Sequence, residues 1–501
     1  MRYASAGTRL RSKARSFFLI MAIAATSGAW AQSPSLPSGS PAPGDANAQA
    51  DIPFVAENLP LFKSFALSNG IHVYVKETNA NRVRDLSLVL LGGSLEEPPS
   101  RAGWANLVLK TMARGSISWP YEKASALLDE TSSTISAGSQ FEYSTFNLTV
   151  LDKYFEQILP IWSDMIRNPS FAQSDFERSK SDAILAIQSK DQNPWAMTQK
   201  IANEKFFVGH PYAITPEGTE ATIGTTTTDD MKAWYSAHFS ADRIFIVAVG
   251  NFDLVALKAD LETALGGLPD LRLGKVAAPP PFPVGPRGGR LYAEPDEQSK
   301  GVAYVRGDFA APAPGAADYM ATNLAMKMFS DLLFAIVRDK YGAVYTPSAL
   351  IRGFEANYGS ILMYKTAAAE KIKAYIDEAA GVLAGGDCLS MDPTMKVGAS
   401  PYMAVGEALP IYKTLYSNEY FDAVRTNAAV AALMIRSVIS VGKPYDWLYD
   451  LGRIASVDAS QVQRAFDAYI LGGNFTWVAV GDPVIVGKLP AADFSGFSAG
   501  R

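Results

Sequence analysis

The sequence has little of the residues that build covalent or metal cross-links. Its 501 residues include one cysteine, Cys388, and three histidines, His72, His210 and His238. One thiol cannot form an internal disulfide or a cysteine-rich zinc module. No two histidines lie at the spacing of a zinc-binding helix, so we expect each to have a structural or surface role.

Basic residues are not in excess either. The chain has 45 Lys and Arg against 50 Asp and Glu, a net charge of −5, so a nucleic-acid-binding surface is not expected. Hydrophobic residues make up 48% and charged residues 19%, which is typical of globular domains, and the length suggests two or more of them. Beyond the N-terminus no apolar run approaches the roughly 18 residues of a membrane span.

The N-terminus has the pattern of a secretory signal peptide. Arginines and a lysine precede an apolar run at residues 17–25, and Ala29, Trp30 and Ala31 fit a small-residue cleavage site. We therefore expect a signal peptide at residues 1–31, cleaved between Ala31 and Gln32, and a periplasmic protein if the source is Gram-negative. An uncleaved N-terminal anchor is the alternative, although the apolar run is short for a stable span.

Two segments of biased composition divide the rest of the chain. Residues 32–50 are rich in Ser, Pro, Gly and Ala and predict a disordered leader. Residues 274–290 contain five prolines, which remove hydrogen-bond donors and stiffen the chain, and they predict an extended linker. The expected domains are residues 51–273 and 291–490, followed by a tail at 491–501.

The two blocks resemble each other at their C-terminal ends. A helical pattern leads to the strand-like segment VAVG at residues 247–250, and a second helical pattern leads to VAVG at 478–481, 231 positions later. This repeat suggests a duplication. Strands predicted at 71–75, 86–91 and 141–151 mix with helices at 103–113, 124–131, 153–167 and 175–189 without a regular βαβ rhythm. The predicted fold class is α+β, with a mixed or antiparallel sheet and helices on one face in each domain.

The order of segments resembles the pitrilysin/insulinase class of zinc peptidases, which includes the mitochondrial processing peptidases and bacterial relatives. The matching stretches run over about residues 55–490 and include LSNGIHVYV (67–75), GGSLEE (92–97), 103–116, RNPSF (167–171), HPY (210–212), VGN (249–251) and LLFAIVRDKYGAVY (332–345). The resemblance implies two duplicated domains of the family fold.

The family's zinc motif is missing from this sequence. The family uses H-x-x-E-H on one helix and a later Glu, and in this chain those positions are held by Asn106, Leu109, Lys110 and Ala186. Leu and Ala offer no ligand atom, and a Lys ammonium has no lone pair. We therefore expect no metal and no zinc cofactor in this chain, and no catalytic residue acting alone. Lys110 is hypothesised to form an ion pair with an acid instead.

The resemblance also marks Arg338 and Tyr345 as substrate-binding residues. In the family a matching Arg/Tyr pair in the second domain lies across a chamber from the zinc, where it positions the peptide backbone and stabilises the oxyanion. Donors aimed at a developing negative charge lower the barrier to hydrolysis. The alternative is that Arg338 caps a helix end and Tyr345 packs on a strand.

The family resemblance also suggests a function, because many bacterial members of the family resemble products of paired genes. In such a pair, one chain carries zinc and lacks the Arg/Tyr pair, whereas the other lacks zinc and carries the Arg/Tyr pair. This sequence has the second pattern. The main hypothesis is a zinc-free subunit of a periplasmic heterodimeric metallopeptidase that acts on peptides or unfolded segments with a zinc-bearing partner. Substrate would be held by strand addition, with residues 141–150 as either the edge strand or a buried strand. The alternatives are a peptide-binding or scaffold pseudo-peptidase and an enzyme of another mechanism.

Overall fold

A computed structural model of the chain describes residues 53–284, 289–390 and 400–497. The expected signal peptide (1–31) and leader (32–50) lie outside the described residues, as do residues 285–288 of the expected linker and 498–501 of the tail. Each half of the chain forms a mixed sheet covered by helices. The predicted α+β class is therefore confirmed.

The first half builds a six-stranded sheet. Its strands are β1 Phe62–Ala66, β2 His72–Glu77, β3 Val83–Leu91, β4 Thr134–Ser139, β5 Tyr143–Leu151 and β6 Ile244–Gly250. Their order is β1-β2-β6-β3-β5-β4, and only β2 and β6 are parallel. Strands β2 and β6 lie far apart in sequence, and most helices of this half belong to the crossover between them.

The helices of the first half cover one face of this sheet. Side chains alternate between faces along a strand, so Leu88 and Phe146, which are paired in register, point to the same core. Trp162 is fully buried there, and its indole N–H donates to the Phe146 carbonyl at 3.3 Å. The helices are α1 Pro53–Asn58, α2 Trp104–Met112, α3 Tyr121–Thr131, α4 Phe155–Arg167, α5 Gln173–Asp191, α6 Pro194–Phe206, α7 Glu220–Gly224, α8 Thr228–His238 and α9 Leu254–Leu265.

The second half repeats this topology. Its strands are β7 Arg290–Pro295, β8 Ala303–Ala310, β9 Val344–Ile351, β10 Tyr358–Thr366 and β13 Thr476–Gly481, in the order β7-β13-β8-β10-β9. This matches β2-β6-β3-β5-β4 strand for strand, with the same single parallel pair. Strands β6 and β13, which carry the two VAVG segments, occupy equivalent central positions. The predicted duplication is thus present at the level of topology.

The helices of the second half, apart from α13, pack on one face of the second sheet around Leu324, Phe329 and Phe466. They are α10 Tyr319–Leu333, α11 Ala369–Ala384, α12 Val405–Ala423, α13 Asn427–Val441, α14 Asp450–Ser456, α15 Ala459–Phe466 and α16 Pro483–Val486, and a two-stranded sheet pairs β11 Asp387–Leu389 with β12 Tyr402–Ala404. Helix α10 continues as a π-helical segment, Phe334–Lys340. The span Tyr319–Lys340 has the length and hydropathy of a membrane helix, and 67% of its apolar window is buried in the protein.

One segment of the second half belongs to the first compact unit. Residues Thr426–Gly452 group with the first half, whereas the second unit contains Pro281–Arg425 and Arg453 onward. Helix α13 packs on β3 and β6, and the amide of Asn427 at its N-terminus donates to the Val83 carbonyl at 2.7 Å. Division of the sequence at the proline-rich segment gives no sign of this exchange, because composition marks linkers but not which sheet a helix packs on.

Residues 141–150, considered from the sequence as a possible edge strand, do not lie at the edge of the first sheet. Strand β5, which contains most of residues 141–150, pairs with β3 on one side and β4 on the other. The buried-strand alternative is therefore correct, and Thr134–Ser139 is the edge strand at this end of the sheet, with β1 at the other end. The alternating polar and apolar residues of β5 are compatible with either position, because alternation reports the two faces of a strand and not its edges.

Candidate functional site

Helix α2 holds three of the four positions that the family resemblance predicts to correspond to the zinc motif. It begins after Gly103, which has φ +87°, and a Cβ there would lie 2.7 Å from the Glu217 carbonyl oxygen. Glycine is thus required at this entry for both conformation and space. From Trp104 to Leu109 every residue is buried, so the helix is a core element, packed against β4 and α5.

A buried carboxylate caps this helix. Glu97 is 8% exposed and accepts backbone N–H bonds from Gly103 at 2.9 Å and from Ala105 at 2.6 Å. Burial raises the pKa of Glu97 to about 7, although these N–H groups and that of Trp104 oppose the shift. The first N–H groups of a helix have no acceptor within the helix, and here the Glu97 carboxylate, at the end of the segment GGSLEE, accepts two of them. The sequence analysis matched that segment without assigning Glu97 a role.

Asn106, at the first histidine position of the motif, is used in packing. Its side chain is buried, and Oδ1 accepts the backbone N–H of Ser139 at 3.3 Å. Ser139 is the last residue of the edge strand β4. The amide therefore ties the helix to the sheet edge, and its oxygen is already committed to a protein donor.

The other three positions of the motif do not form a ligand set. Leu109 is completely buried, whereas Lys110 and Ala186 are exposed. Helices α2 and α5, which carry them, pack against each other. Lys110 makes no ion pair with any residue the structure describes, so the hypothesised pair is not found there. No cluster of three or more potential ligand side chains occurs within the described ranges. The donor set does not fit a zinc ion.

Replacing Asn106 with Ala should destabilise the chain. The change leaves the Ser139 N–H without its acceptor in a buried position, and an unsatisfied buried donor costs about 1–3 kcal/mol. Urea unfolding of Asn106→Ala should show that loss, whereas Thr134→Ala, at an exposed position on the same strand, should stay close to wild type. An unchanged free energy of unfolding in Asn106→Ala would contradict a packing role for the amide.

The histidines are held singly, each by contacts of its own. His210 donates from Nε2 to the Pro280 carbonyl at 2.8 Å, and burial lowers the pKa of His210. His238 bonds the Trp234 carbonyl through Nδ1 at 2.8 Å, and its ring stacks on Trp234 at 4.5 Å. His72 lies on β2, and burial lowers its pKa. Their positions agree with the structural roles expected of them.

Arg338 and Tyr345 are brought together by a tight turn. The N–H of Gly342 donates to the Arg338 carbonyl at 2.8 Å, and that of Ala343 donates to the Val337 carbonyl at 2.9 Å. Gly342 has φ +60°, the left-handed conformation that ends many helices. Strand β9 begins directly afterwards at Val344, so the chain reverses and returns Tyr345 over the last helical turn.

The guanidinium of Arg338 lies between two aromatic rings. Its Cζ is 4.4 Å from the ring centroid of Phe334 and 4.6 Å from that of Tyr345. Arg338 is half-buried, and Tyr345 is 72% exposed on the edge strand β9. Within the described part of the chain neither the guanidinium nor the Tyr345 hydroxyl has a hydrogen-bond partner. The pair presents donors to an incoming ligand.

Glu378 anchors this turn from helix α11. It accepts bonds from Lys340 Nζ and from the Tyr341 hydroxyl, both at 2.7 Å, and the Tyr341 ring stacks on Tyr375 at 3.9 Å. Burial acts to raise the pKa of Glu378, but the bonds from Lys340 and Tyr341 lower it overall. The sequence gives no signal for these supporting residues, since helix α11 begins 24 positions after the matched segment (369 − 345) and carries no motif of its own.

Family models match both halves of the chain. The model described as Insulinase (Peptidase family M16) matches residues 72–220, and the model described as Peptidase M16 inactive domain matches residues 225–384. Together they cover more than half of the sequence.

Individual relatives agree with these matches. The chain is 23% identical over 219 residues to the mitochondrial-processing peptidase subunit alpha of Solanum tuberosum, which is 44% of this chain and 42% of the relative. It is 22% identical to the non-peptidase homolog YmxG of Helicobacter pylori, over 38% of this chain and 43% of that protein. The match to subunit 1 of the human cytochrome b-c1 complex covers 81% of this chain and 83% of the subunit at 21% identity. The chain spans about half the length of the first curated relatives that it matches.

Solved structures show the same fold. The Pseudomonas fluorescens structure of a peptidase M16 inactive domain superposes with a TM-score of 0.70 at 17% identity, covering 84% of this chain and 98% of that one. The periplasmic protease PqqL of Escherichia coli gives a TM-score of 0.68 at 17% identity, over 84% of this chain and 45% of PqqL. The sequence segments, the duplicated topology and both family models agree, and the chain belongs to the insulinase family of peptidases, family M16.

Proposed function

We propose that this chain is a non-catalytic subunit of an exported metallopeptidase, and that it supplies Arg338 and Tyr345 to the active site of a zinc-bearing partner of the same family. The observation that carries the proposal is the uncommitted Arg338/Tyr345 pair in a chain whose own motif positions do not fit zinc. A pseudo-peptidase with an intact substrate-handling half-site needs a second chain to hydrolyse peptides.

The chemistry of the pair suits peptide hydrolysis. A guanidinium carries five N–H donors in one plane and can hold a peptide carbonyl or carboxylate. A phenol hydroxyl placed near the scissile carbonyl would donate to its oxygen as negative charge develops. Because Tyr345 is exposed and its hydroxyl is unpaired, it can make this bond without first breaking another.

We also propose that substrate adds as a strand to β4. Strand β4 is the last in the first sheet and pairs only with β5 among the strands the structure describes, so one row of its backbone groups can pair with an extended peptide. Asn106 holds the end of this strand to helix α2. The former metal position would thus stabilise the peptide-binding edge.

Export to the periplasm is part of the proposal. The signal-peptide pattern at residues 1–31 supports it, and the likeness to a periplasmic protease is compatible with it. Formation of a pair is supported by relatives whose names identify them as subunits of larger assemblies.

A binding or scaffold protein without a proteolytic role is the second candidate. It is favoured by the likeness to a relative named a non-peptidase homolog. The two candidates share the fold and the peptide-binding edge, and they differ in whether Arg338 and Tyr345 act on a reaction in a partner.

Affinity purification of the tagged, exported chain from its native envelope fraction, followed by mass spectrometry, tests the proposal. We expect one stoichiometric family member that carries H-x-x-E-H, and peptide hydrolysis only when the two chains are mixed. An isolated chain or a homodimer, with no hydrolysis after addition of any zinc-bearing family member from the same source, would favour the scaffold instead.

A further inference from the structure

Arg338 differs from two other arginines in the second half of the chain, which are paired with acids. Arg306 is buried and pairs with Asp308 at 2.9 Å, and Arg425 lies 3.4 Å from Asp422. Arg338 is half-buried and has no acidic partner within the part of the chain described. A cation held in this way keeps its full capacity to bind an anion.

The two flanking rings determine which part of the guanidinium is available. Phe334 and Tyr345 lie within 4.6 Å of Cζ, as in cation–π contacts, which form over ring faces. Such stacking leaves the N–H groups at the rim of the guanidinium plane for hydrogen bonds. A planar fork of parallel N–H groups matches the two oxygens of a carboxylate, which it can hold in a bidentate pair.

The fork is also held in place before any ligand binds. Phe334 lies one helical turn before Arg338, and the segment after it is fixed by Glu378 through Lys340 and Tyr341. Little side-chain entropy is then lost when a ligand binds, so more of the interaction energy appears as affinity.

We propose that Arg338 binds a carboxylate of the peptide substrate, so that the half-site selects peptides that present a carboxylate beside Tyr345. This inference rests on the proposed function and adds a substrate class to it. The carboxylate could be the free C-terminus of the peptide or an Asp or Glu side chain. Both have the same planar pair of oxygens, and the experiment separates them.

The test is fluorescence anisotropy with the mature full-length chain and one N-terminally labelled, unstructured decapeptide. Four forms of the peptide are compared: a free or amidated C-terminus, each with an internal Glu or Gln. Removing the recognised carboxylate should weaken binding about 10- to 100-fold, the range expected for a hydrogen-bonded charged group. If amidation of the C-terminus weakens binding, the recognised carboxylate is the C-terminus. If exchange of Glu for Gln weakens binding, the recognised carboxylate is a side chain.

Three variants test whether the preference for peptides that carry the carboxylate depends on Arg338. Arg338→Met should make the acid and neutral peptides bind alike. Arg338→Lys keeps the charge but not the fork, and should recover only part of the preference. Arg425→Met, at an exposed arginine on the same unit, should retain the wild-type preference.

The outcomes distinguish this inference from the proposed function. If all four peptides bind equally and Arg338→Met weakens them equally, Arg338 binds backbone carbonyls and the carboxylate assignment is wrong, while the proposed function stands. If no peptide binds and Arg338→Met leaves hydrolysis by the paired chains unchanged, both are wrong.

Discussion

Tyr345→Phe should lower the turnover number of the paired enzyme about 10²- to 10³-fold, the usual loss when one donor to an oxyanion is removed. The change deletes a single oxygen from a side chain that is 72% exposed and bonds to nothing among the residues the structure describes. It should therefore leave the free energy of unfolding within about 0.5 kcal/mol of wild type. Loss of activity without loss of stability is the signature of a group that acts on the substrate.

Arg338→Ala should reduce kcat/KM by a similar factor and should also raise KM, because in the proposed function the guanidinium would bind the substrate before reaction as well as during it. The measurement is steady-state hydrolysis of a quenched fluorescent peptide by the zinc-bearing partner at saturating concentrations of each variant. Tyr364→Phe, at a tyrosine that is 40% exposed on the same sheet, is the matched control and should retain full activity.

Full activity of both Arg338→Ala and Tyr345→Phe complexes would exclude the shared active site. The alternative, in which Arg338 caps a helix end and Tyr345 packs on a strand, predicts the opposite pattern: wild-type turnover with reduced stability. The chain without its partner should show no turnover at any zinc concentration, because its motif positions supply neither a ligand set nor a base.

Glu97 should make the chain less stable as pH rises from about 4.5 to about 7. The pKa of Glu97 is about 7 in the folded chain, mainly because of burial, against an ordinary value of 4.5 for a glutamate side chain. Between these values the folded state holds a proton that the unfolded state has released, so stability is highest below the lower value and falls through the window. A pKa difference of this size corresponds to a loss of about 3 kcal/mol in the free energy of unfolding across the window.

Glu97→Gln isolates this contribution. The amide resembles the protonated acid at every pH, so the free energy of unfolding of the variant should lack the Glu97 component between pH 4.5 and 7. Urea titrations at four pH values give the free energy of unfolding of each protein. The value for wild type minus that for the variant should fall by about 3 kcal/mol between pH 4.5 and 7. Glu122→Gln, on the exposed face of helix α3, is the control and should change the free energy of unfolding by no more than about 0.5 kcal/mol.

A flat difference curve for Glu97→Gln would mean that the carboxylate is ionised throughout the window. In that case the three backbone N–H groups at the start of helix α2 would outweigh the cost of burial. Within the described ranges, no other acidic side chain bonds to those N–H groups. Either result therefore measures how strongly Glu97 caps helix α2.

Features that depend on local chemistry can be predicted from the sequence. The chain has no H-x-x-E-H segment, and Leu109 and Ala186, which the family resemblance places at two of the motif positions, have no ligand atoms. The Arg338 and Tyr345 pair was identified from a motif, and the turn at Gly342 that joins them follows from the helix-ending preference of glycine. The repeated VAVG segments indicated the duplication because equivalent central strands keep the same apolar pattern.

Other features depend on residues distant in sequence. The bond from Ser139 to Asn106, the burial of the Glu97 carboxylate, the support from Glu378 and the edge position of β4 all arise from packing between separate elements. The placement of Thr426–Gly452 with the first half is of the same kind. Periodicity reports which side of an element is apolar but not which neighbour covers it.

The sequence by itself determined that the chain has no H-x-x-E-H segment and that it carries Arg338 and Tyr345, because ligand atoms and donors are properties of residue types. Only the tertiary structure decided that Asn106 is committed to Ser139 and that Arg338 is not committed to any acid among the described residues. Whether a polar group is available for a ligand depends on its neighbours in space, and folding determines those neighbours.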